Sequence, residues 1–205
     1  MKEKFKFSHR AARKEDAHII AQAVVMAIGE ECAADYCGDN YLAVLEDIAG
    51  QEDSQYSYTN SIIAEIDGNP AGAVCGYDGA LLQRLRARTL EVISRETGHT
   101  PEVADETGPG EFYIDSIGIL PQYRGQGLGG DLLRAIRDEA FHQGHPIVGL
   151  LVDENNPRAE ALYRKLGFQR MNTADFMGHR MWHLQTREDA IFVEDGPDKS
   201  ENKQS

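Results

Sequence analysis

The stretch Gln122-Tyr123-Arg124-Gly125-Gln126-Gly127-Leu128-Gly129-Gly130 lies between an apolar run of strand character and an apolar run of helical character. Upstream, Phe112-Tyr113-Ile114-Asp115-Ser116-Ile117-Gly118-Ile119 is rich in aromatic and β-branched residues and is stopped by Pro121, which predicts a strand ending near Leu120. Downstream, Leu128, Leu132, Ile136 and Ala140 recur at helical spacing, with Asp131, Arg134 and Asp138 on other faces, so a helix is expected to open at the glycines. Gly125, Gly127, Gly129 and Gly130 let the backbone take positive φ and pass close to a ligand, so that successive N–H groups can converge on phosphate oxygens. The unpaired donors and partial positive charge of the helix N-terminus, with Arg124 beside them, complete an anion cradle.

A glycine-rich turn into a helix is the plain alternative, and two nucleotide loops share parts of the pattern. Gly125, Gly127 and Gly130 satisfy G-x-G-x-x-G, and Asp153 follows at about the distance that a ribose contact requires. In that fingerprint the first glycine closes the strand directly, whereas here Leu120 to Arg124 intervene, and too little chain follows Asp153 for the remaining βα units of a doubly wound sheet. A Walker loop is excluded because no Gly-Lys-Ser/Thr follows.

The chain has 205 residues, 41% of them hydrophobic, enough for one ordinary core, so a single folded domain is expected over 1–186. No apolar run approaches the roughly 20 residues needed to span a bilayer. Met1-Lys2-Glu3-Lys4-Phe5 has basic residues without an apolar segment behind them, unlike a secretory signal. Cys32, Cys37 and Cys75 are odd in number and lack metal-ligand spacing, which points to free thiols, a cytoplasmic protein and no metal site. The net charge is -13, and 187–205, with six acidic and three basic residues, reads as an acidic, disordered tail. An acidic body repels nucleic acid and acidic membrane and attracts amines, although acidity that merely maintains solubility is the alternative.

Taken in order, Phe5 to Ala11 predicts a strand, and Ile20, Val24, Ala27 and Ile28 predict a helix ending at Gly29. A second helix is expected from Asp39 as N-cap to Gly50, and Gln51 to Asn60 is expected as loop. Ser61–Ile66 and Ala71–Tyr77 form a hairpin across Asp67-Gly68-Asn69-Pro70. Residues 78–110 read as an insertion before the central strand, containing one helix closed by Gly98 and then an acidic loop. Its expected roles are core packing, the wall of a substrate pocket or a homodimer contact. Pro146 to Val152 is a continuous apolar strand flanked by others, Asn156-Pro157 starts a helix that Gly167 ends, and two strands finish the sheet. The fold class is therefore α+β, with one mixed, mostly antiparallel sheet flanked by helices and the strand before the glycine loop at its middle.

Two motifs then coincide. Arg124-Gly125-Gln126-Gly127-Leu128-Gly129 resembles the Arg/Gln-x-x-Gly-x-Gly/Ala loop of the GNAT superfamily of N-acetyltransferases. Asn156-Pro157-Arg158-Ala159-Glu160-Ala161-Leu162-Tyr163-Arg164-Lys165-Leu166-Gly167-Phe168 resembles that family's Asn-x-x-Ala-x-x-Leu-Tyr-x-Lys-x-Gly-Phe helix. The resemblance covers about Phe112 to Arg170. It implies acetyl-CoA as co-substrate, with its pyrophosphate on the backbone of Arg124, Gly125, Gln126, Gly127, Leu128, Gly129 and Gly130. Its pantetheine arm is expected beside main-chain groups of Ile117, Gly118 and Ile119, in a gap where the central strand splays from Pro146–Val152, with Asn156 nearby.

The reaction so implied moves an acetyl group to a primary amine of a small molecule or peptide. A backbone N–H of Ile117 or Ile119 is expected to serve the oxyanion, and Tyr163, matching the family's tyrosine, to protonate the leaving thiolate. Asp115, two residues before Ile117 and on its face by strand alternation, is the candidate base, acting directly, through water or only as a site for the substrate's ammonium. Glu111, at the mouth of the strand, is the fallback. His179, Met181 and His183 share one face of the last strand without a third metal ligand, which predicts an exposed or substrate-lining face. The alternative function is a non-catalytic acyl-CoA sensor or structural module.

Overall fold

Seven strands form one open sheet in the order β1-β2-β3-β4-β5-β7-β6, within a computed structural model that describes residues 6–189. The strands are β1 Phe7–Ala11, β2 Ser61–Ile66, β3 Asn69–Asp78, β4 Phe112–Ile119, β5 Ile147–Asp153, β6 Gln169–Phe176 and β7 His179–Arg187. The helices are α1 Ala17–Ile28, α2 Glu30–Cys37, α3 Tyr41–Ala49, α4 Leu82–Thr97, α5 Leu128–His142 and α6 Pro157–Lys165. Every neighbouring pair is antiparallel except β4 and β5, so the expected mixed sheet with the pre-glycine strand at its centre is what forms. Strand β7 reaches Arg187, one residue into the expected tail. Residues 190–205 and Met1 to Phe5, including the N-terminal signal question, lie outside the described residues. Among the described residues no single helix is long and apolar enough to cross a membrane.

The apolar periodicity sorts the helices onto two sides of the sheet. Ile20 and Val24 of α1, Ala33 of α2, Leu45 and Ile48 of α3 and Val92 and Ile93 of α4 form one core with Ile63 and Ala73. Leu132, Leu133 and Ile136 of α5 form the other with Val74, Ile114, Val148 and Leu150, and Ala159 and Tyr163 of α6 pack on it. Helix α2 was not foreseen. Its eight residues include Glu30, Glu31 and Asp35, and only Ala33, Tyr36 and Cys37 are buried, so no apolar stripe marks it. The N-cap position of the next helix is Asn40 rather than Asp39, and its side chain makes no capping hydrogen bond. In the β2–β3 hairpin Asp67 and Gly68 both have positive φ, as a two-residue turn of this hand demands.

Helix α1 approaches the central strand closely at Gly118. A Cβ there lies 2.6 Å from Ala23 Cα and 2.7 Å from Met26 Cε, so glycine is what allows the helix backbone onto the sheet. Gly118→Ala is expected to push α1 from β4 and destabilise the protein by about 1–3 kcal/mol. Urea denaturation checks this, and an unchanged midpoint counts against the close-packing account.

Candidate active site

Strands β4 and β5 are registered only at Phe112↔Val148 and Tyr113↔Gly149. Beyond Tyr113 they are not paired with each other, while β4 continues along β3 to Gly72↔Ile119 and β5 continues along β7 to Asp153↔Met181. The sheet therefore opens in its middle. The amide of Leu120 donates to Ala71 O (2.9 Å), and antiparallel alternation from there turns the amides of Gly118 and Ser116 toward β3 and those of Ile117 and Ile119 into the gap. Of the expected main-chain contacts, Ile117 and Ile119 thus present free edges, whereas Gly118 is committed to β3 through its amide and to α1 through its open face. A cavity of about 380 Å³ fills the gap, and its wall includes Asp115, Ile117, Leu151, Tyr163, Tyr56 and Glu106.

The glycine loop stands at the mouth of this gap. A short turn over Pro121–Tyr123 follows β4, and Gly125 and Gly127 have φ of 77° and 88°. Gly127 caps α5 in the left-handed conformation. Arg124, Gly125, Gln126 and Gly127 are exposed, and no hydrogen-bond partner among the described residues takes the amides of Gly125 to Gly130. Six successive free donors, a helix N-terminus and the space that a Cβ at Gly125 or Gly127 leaves empty are what an anionic diphosphate needs. Gly129 and Gly130 belong to the first turn of α5, where a Cβ would make ordinary contact with Ile119 or Leu162. Arg124 Nε donates to Ile119 O (2.9 Å), tying the loop to the cleft edge. The side chain of Asn156 accepts from the Ala159 amide (3.1 Å) as the N-cap of α6, and the residue also lines the cavity.

Asp115 sits at a β-bulge. Cys75 pairs with Ser116 and Gly76 with Ile114, so Asp115 is the extra residue. Strict alternation fails there, which corrects the expectation that Asp115 shares a face with Ile117. Ile117 packs toward the α5 core, whereas Asp115 turns to the α1–α4 side next to Ser116, whose hydroxyl donates to Asp115 Oδ1 (2.8 Å). Tyr77 Oη lies 3.1 Å from Asp115 Oδ2 and 2.9 Å from Glu106 Oε1. Gln55 Nε2 donates to both Tyr77 Oη (3.1 Å) and Glu106 Oε1 (2.9 Å), and Arg86 binds Glu106 Oε2. Burial, and next the charge of Glu106, push the Asp115 carboxyl up to about 7. A carboxyl balanced near neutrality at the floor of a cleft has the proton affinity of a general base.

Tyr163 lines the same cavity from α6, its ring held edge-on to Phe168 at 6.2 Å between centroids. Its hydroxyl has no hydrogen-bond partner among the described residues, and burial pushes its pKa up to about 12, so it remains a phenol. Glu111 does not fit the role of base. It accepts from Thr107 Oγ1 (2.7 Å), His183 (3.0 Å) and Gln185 Nε2 (2.7 Å), and although burial opposes it these partners hold its pKa below the usual carboxylate range. His179 and Met181 line the cavity, as a substrate-lining face requires, but His183 is turned to Glu111 instead. No group of three metal-ligating side chains occurs among the described residues.

Sequence reasoning missed Gln55, Tyr77, Arg86 and Glu106. Arg86 and Glu106 lay in the 78–110 stretch singled out as a candidate pocket wall, and Val103 of that stretch also reaches the cavity. The family profile described as "Acetyltransferase (GNAT) family" matches residues 30–168. The chain is 45% identical over 65 residues to the N-alpha-acetyltransferase RimI of Mycobacterium tuberculosis, covering 32% of this chain and 39% of the relative. It is 33% identical over 85 residues to the spermine/spermidine N(1)-acetyltransferase of Bacillus subtilis, covering 41% and 56%. In both cases the match spans less than two thirds of the relative's length. A crystal structure of an N-acetyltransferase from Staphylococcus aureus Mu50 superposes with a TM-score of 0.74 at 26% identity, covering 87% of this chain and 100% of the other.

Proposed function

The chain belongs to the GNAT family of acetyltransferases, and from that premise we propose that it is an enzyme moving an acetyl group from acetyl-CoA to a primary amine of a small molecule or peptide. The observation that carries this reading is the parting of β4 and β5 above Tyr113, whose cavity runs from Gly129, in the loop of free amides, down to Asp115 and Tyr163. The loop fits a diphosphate in donor number and backbone shape, and the inward amides of Ile117 and Ile119 suit a pantetheine arm and a developing oxyanion. Acetyl-CoA, when bound, supplies an activated thioester carbonyl.

The roles follow from the groups present. An ammonium acceptor first gives one proton to solvent; as the neutral amine nitrogen then bonds to the carbonyl carbon, Asp115 takes a second proton from it. As the C–S bond breaks, the Tyr163 phenol gives a proton to the sulfur, and solvent then returns both residues to their starting states. One proton leaves nitrogen and one reaches sulfur, so the step balances. Asp115, Glu106 and the rings of Tyr36 and Tyr56 around the cavity favour a cationic acceptor. The test is release of free thiol from acetyl-CoA against amines, amino acids, aminoglycosides, polyamines and peptides with free N-termini. Saturable release with at least one amine is expected. Tight binding of acetyl-CoA without release for any of them would favour the sensor function.

A further inference from the structure

The oxygens of Asp115, Tyr77 and Glu106 form a chain that is one hydrogen short. Tyr77 Oη is in contact with both Asp115 Oδ2 (3.1 Å) and Glu106 Oε1 (2.9 Å), yet a phenol has a single proton to give. Gln55 cannot supply the other. Its Nε2 hydrogens go to Tyr77 Oη and Glu106 Oε1, and turning the amide over would set its oxygen against the Glu106 carboxylate. Glu106 is held as an anion by the Arg86 guanidinium on one oxygen, and it accepts from Gln55 and Tyr77 on the other. The missing hydrogen therefore belongs on Asp115 Oδ2, from which it is donated to Tyr77 Oη. Tyr77 then accepts from Asp115 and Gln55 and donates to Glu106, which fills its valence.

We propose that Asp115 and Glu106 hold one proton between them across the Tyr77 hydroxyl, and that Glu106 is the positioning residue that decides when Asp115 is free to act as base. The inference rests on the base role given to Asp115 above. Its geometric content, a protonated Asp115 in the resting protein, does not require that role.

Several elements face Asp115. The 99–111 loop brings Glu106, α4 brings Arg86, and β3 brings Tyr77 and Cys75. Helix α2 brings Tyr36, the 50–57 loop Tyr56, and β4 itself Tyr113. Burial raises the pKa of each of these tyrosines and of Cys75, so they stay neutral. The far wall of the cavity holds Asp153, Tyr163 and His179. Among the described residues, Glu106 and Arg86 set opposite charges against Asp115. Glu106 raises its proton affinity and Arg86 lowers it. Replacing Glu106 by the neutral, nearly isosteric Gln removes the first and leaves the second, so Asp115 must ionise at lower pH.

The experiment is a carbon-13 titration of the side-chain carboxyls in the full chain without ligand, with Asp115 assigned by comparison with Asp115→Asn. In wild type the Asp115 carboxyl is expected to titrate near pH 7, and in Glu106→Gln at least about one unit lower. A wild-type midpoint in the ordinary aspartate range overturns the proposal, whether or not the variant folds. So does an unchanged midpoint in Glu106→Gln. With an amine acceptor, the acid limb of kcat/KM is expected to move down with the carboxyl. A purely structural role for Glu106 lowers kcat at every pH without moving the limb. If no amine is acetylated, the carboxyl titration still decides the shared proton, so failure of the enzymatic reading and failure of this inference give different results.

Discussion

Asp115→Asn is expected to lower kcat by about 10²–10⁴-fold and, above neutral pH, to make the protein more stable than wild type. The first effect follows from removing a carboxyl that lies at the floor of the gap with a proton affinity near neutrality. The second follows from the sign of its shift. Burial raises the folded-state pKa above the unfolded one, so the stabilising contribution of the neutral acid is complete below about pH 4 and is lost as pH rises through about 7. Asparagine keeps a donor toward Tyr77 and has no charge to bury. The gain should be absent in acid, grow from about pH 4 to 7 and level off above, reaching on the order of 2–4 kcal/mol. Thermal melts of both proteins at pH 4, 6 and 8, beside initial rates at pH 8, check both halves. A variant that is less active but no more stable at pH 8 than wild type would remove the strained carboxyl from the account.

Tyr163→Phe is expected to reduce kcat by about 10²-fold or more while leaving the KM for acetyl-CoA and the melting temperature nearly unchanged. The ring packs on Phe168, and that contact survives in phenylalanine. The hydroxyl has no partner among the described residues, so removing it strands nothing. What disappears is a proton donor at the cavity wall. Because the Tyr163 pKa is pushed up to about 12, wild-type kcat should show no alkaline fall from this group below about pH 10. A kcat within threefold of wild type means that water or another residue protonates the thiolate. A large loss of stability instead of rate means that the tyrosine is chiefly a core residue.

The central part of the fold was legible because two local signals lie close together in the chain. The glycines from Gly125 to Gly130 and the capped helix from Asn156 to Gly167 each carry their own geometry, and the strand between them is apolar up to Val152. The base was legible as a residue but not in its surroundings. A single inserted residue at Asp115 turns it away from the side that alternation assigns, and nothing in Tyr113-Ile114-Asp115-Ser116 marks a bulge, since bulges are set by the partner strand. The rest of the cluster is scattered. Gln55 lies in a polar loop, Tyr77 near the end of a strand, Arg86 on a helix and Glu106 in an acidic run, and each reads locally as an ordinary surface or core residue. Their pairing is a long-range contact, and so is the near contact of Gly118 with Ala23 that brings α1 onto the sheet.

The walls of the gap have separate origins along the polypeptide. The glycine loop, the inward edges of Ile117 and Ile119, and Tyr163 come from the second half of the chain, whereas Tyr36, Gln55, Tyr56, Val103 and Glu106 come from the half before the central strand. On the proposed reading, the first set grips a donor that does not change and the second meets an acceptor that does. Substitutions or length changes between α2 and β4 can then exchange one acceptor for another without disturbing the grip on the donor, as a common handle takes interchangeable tools.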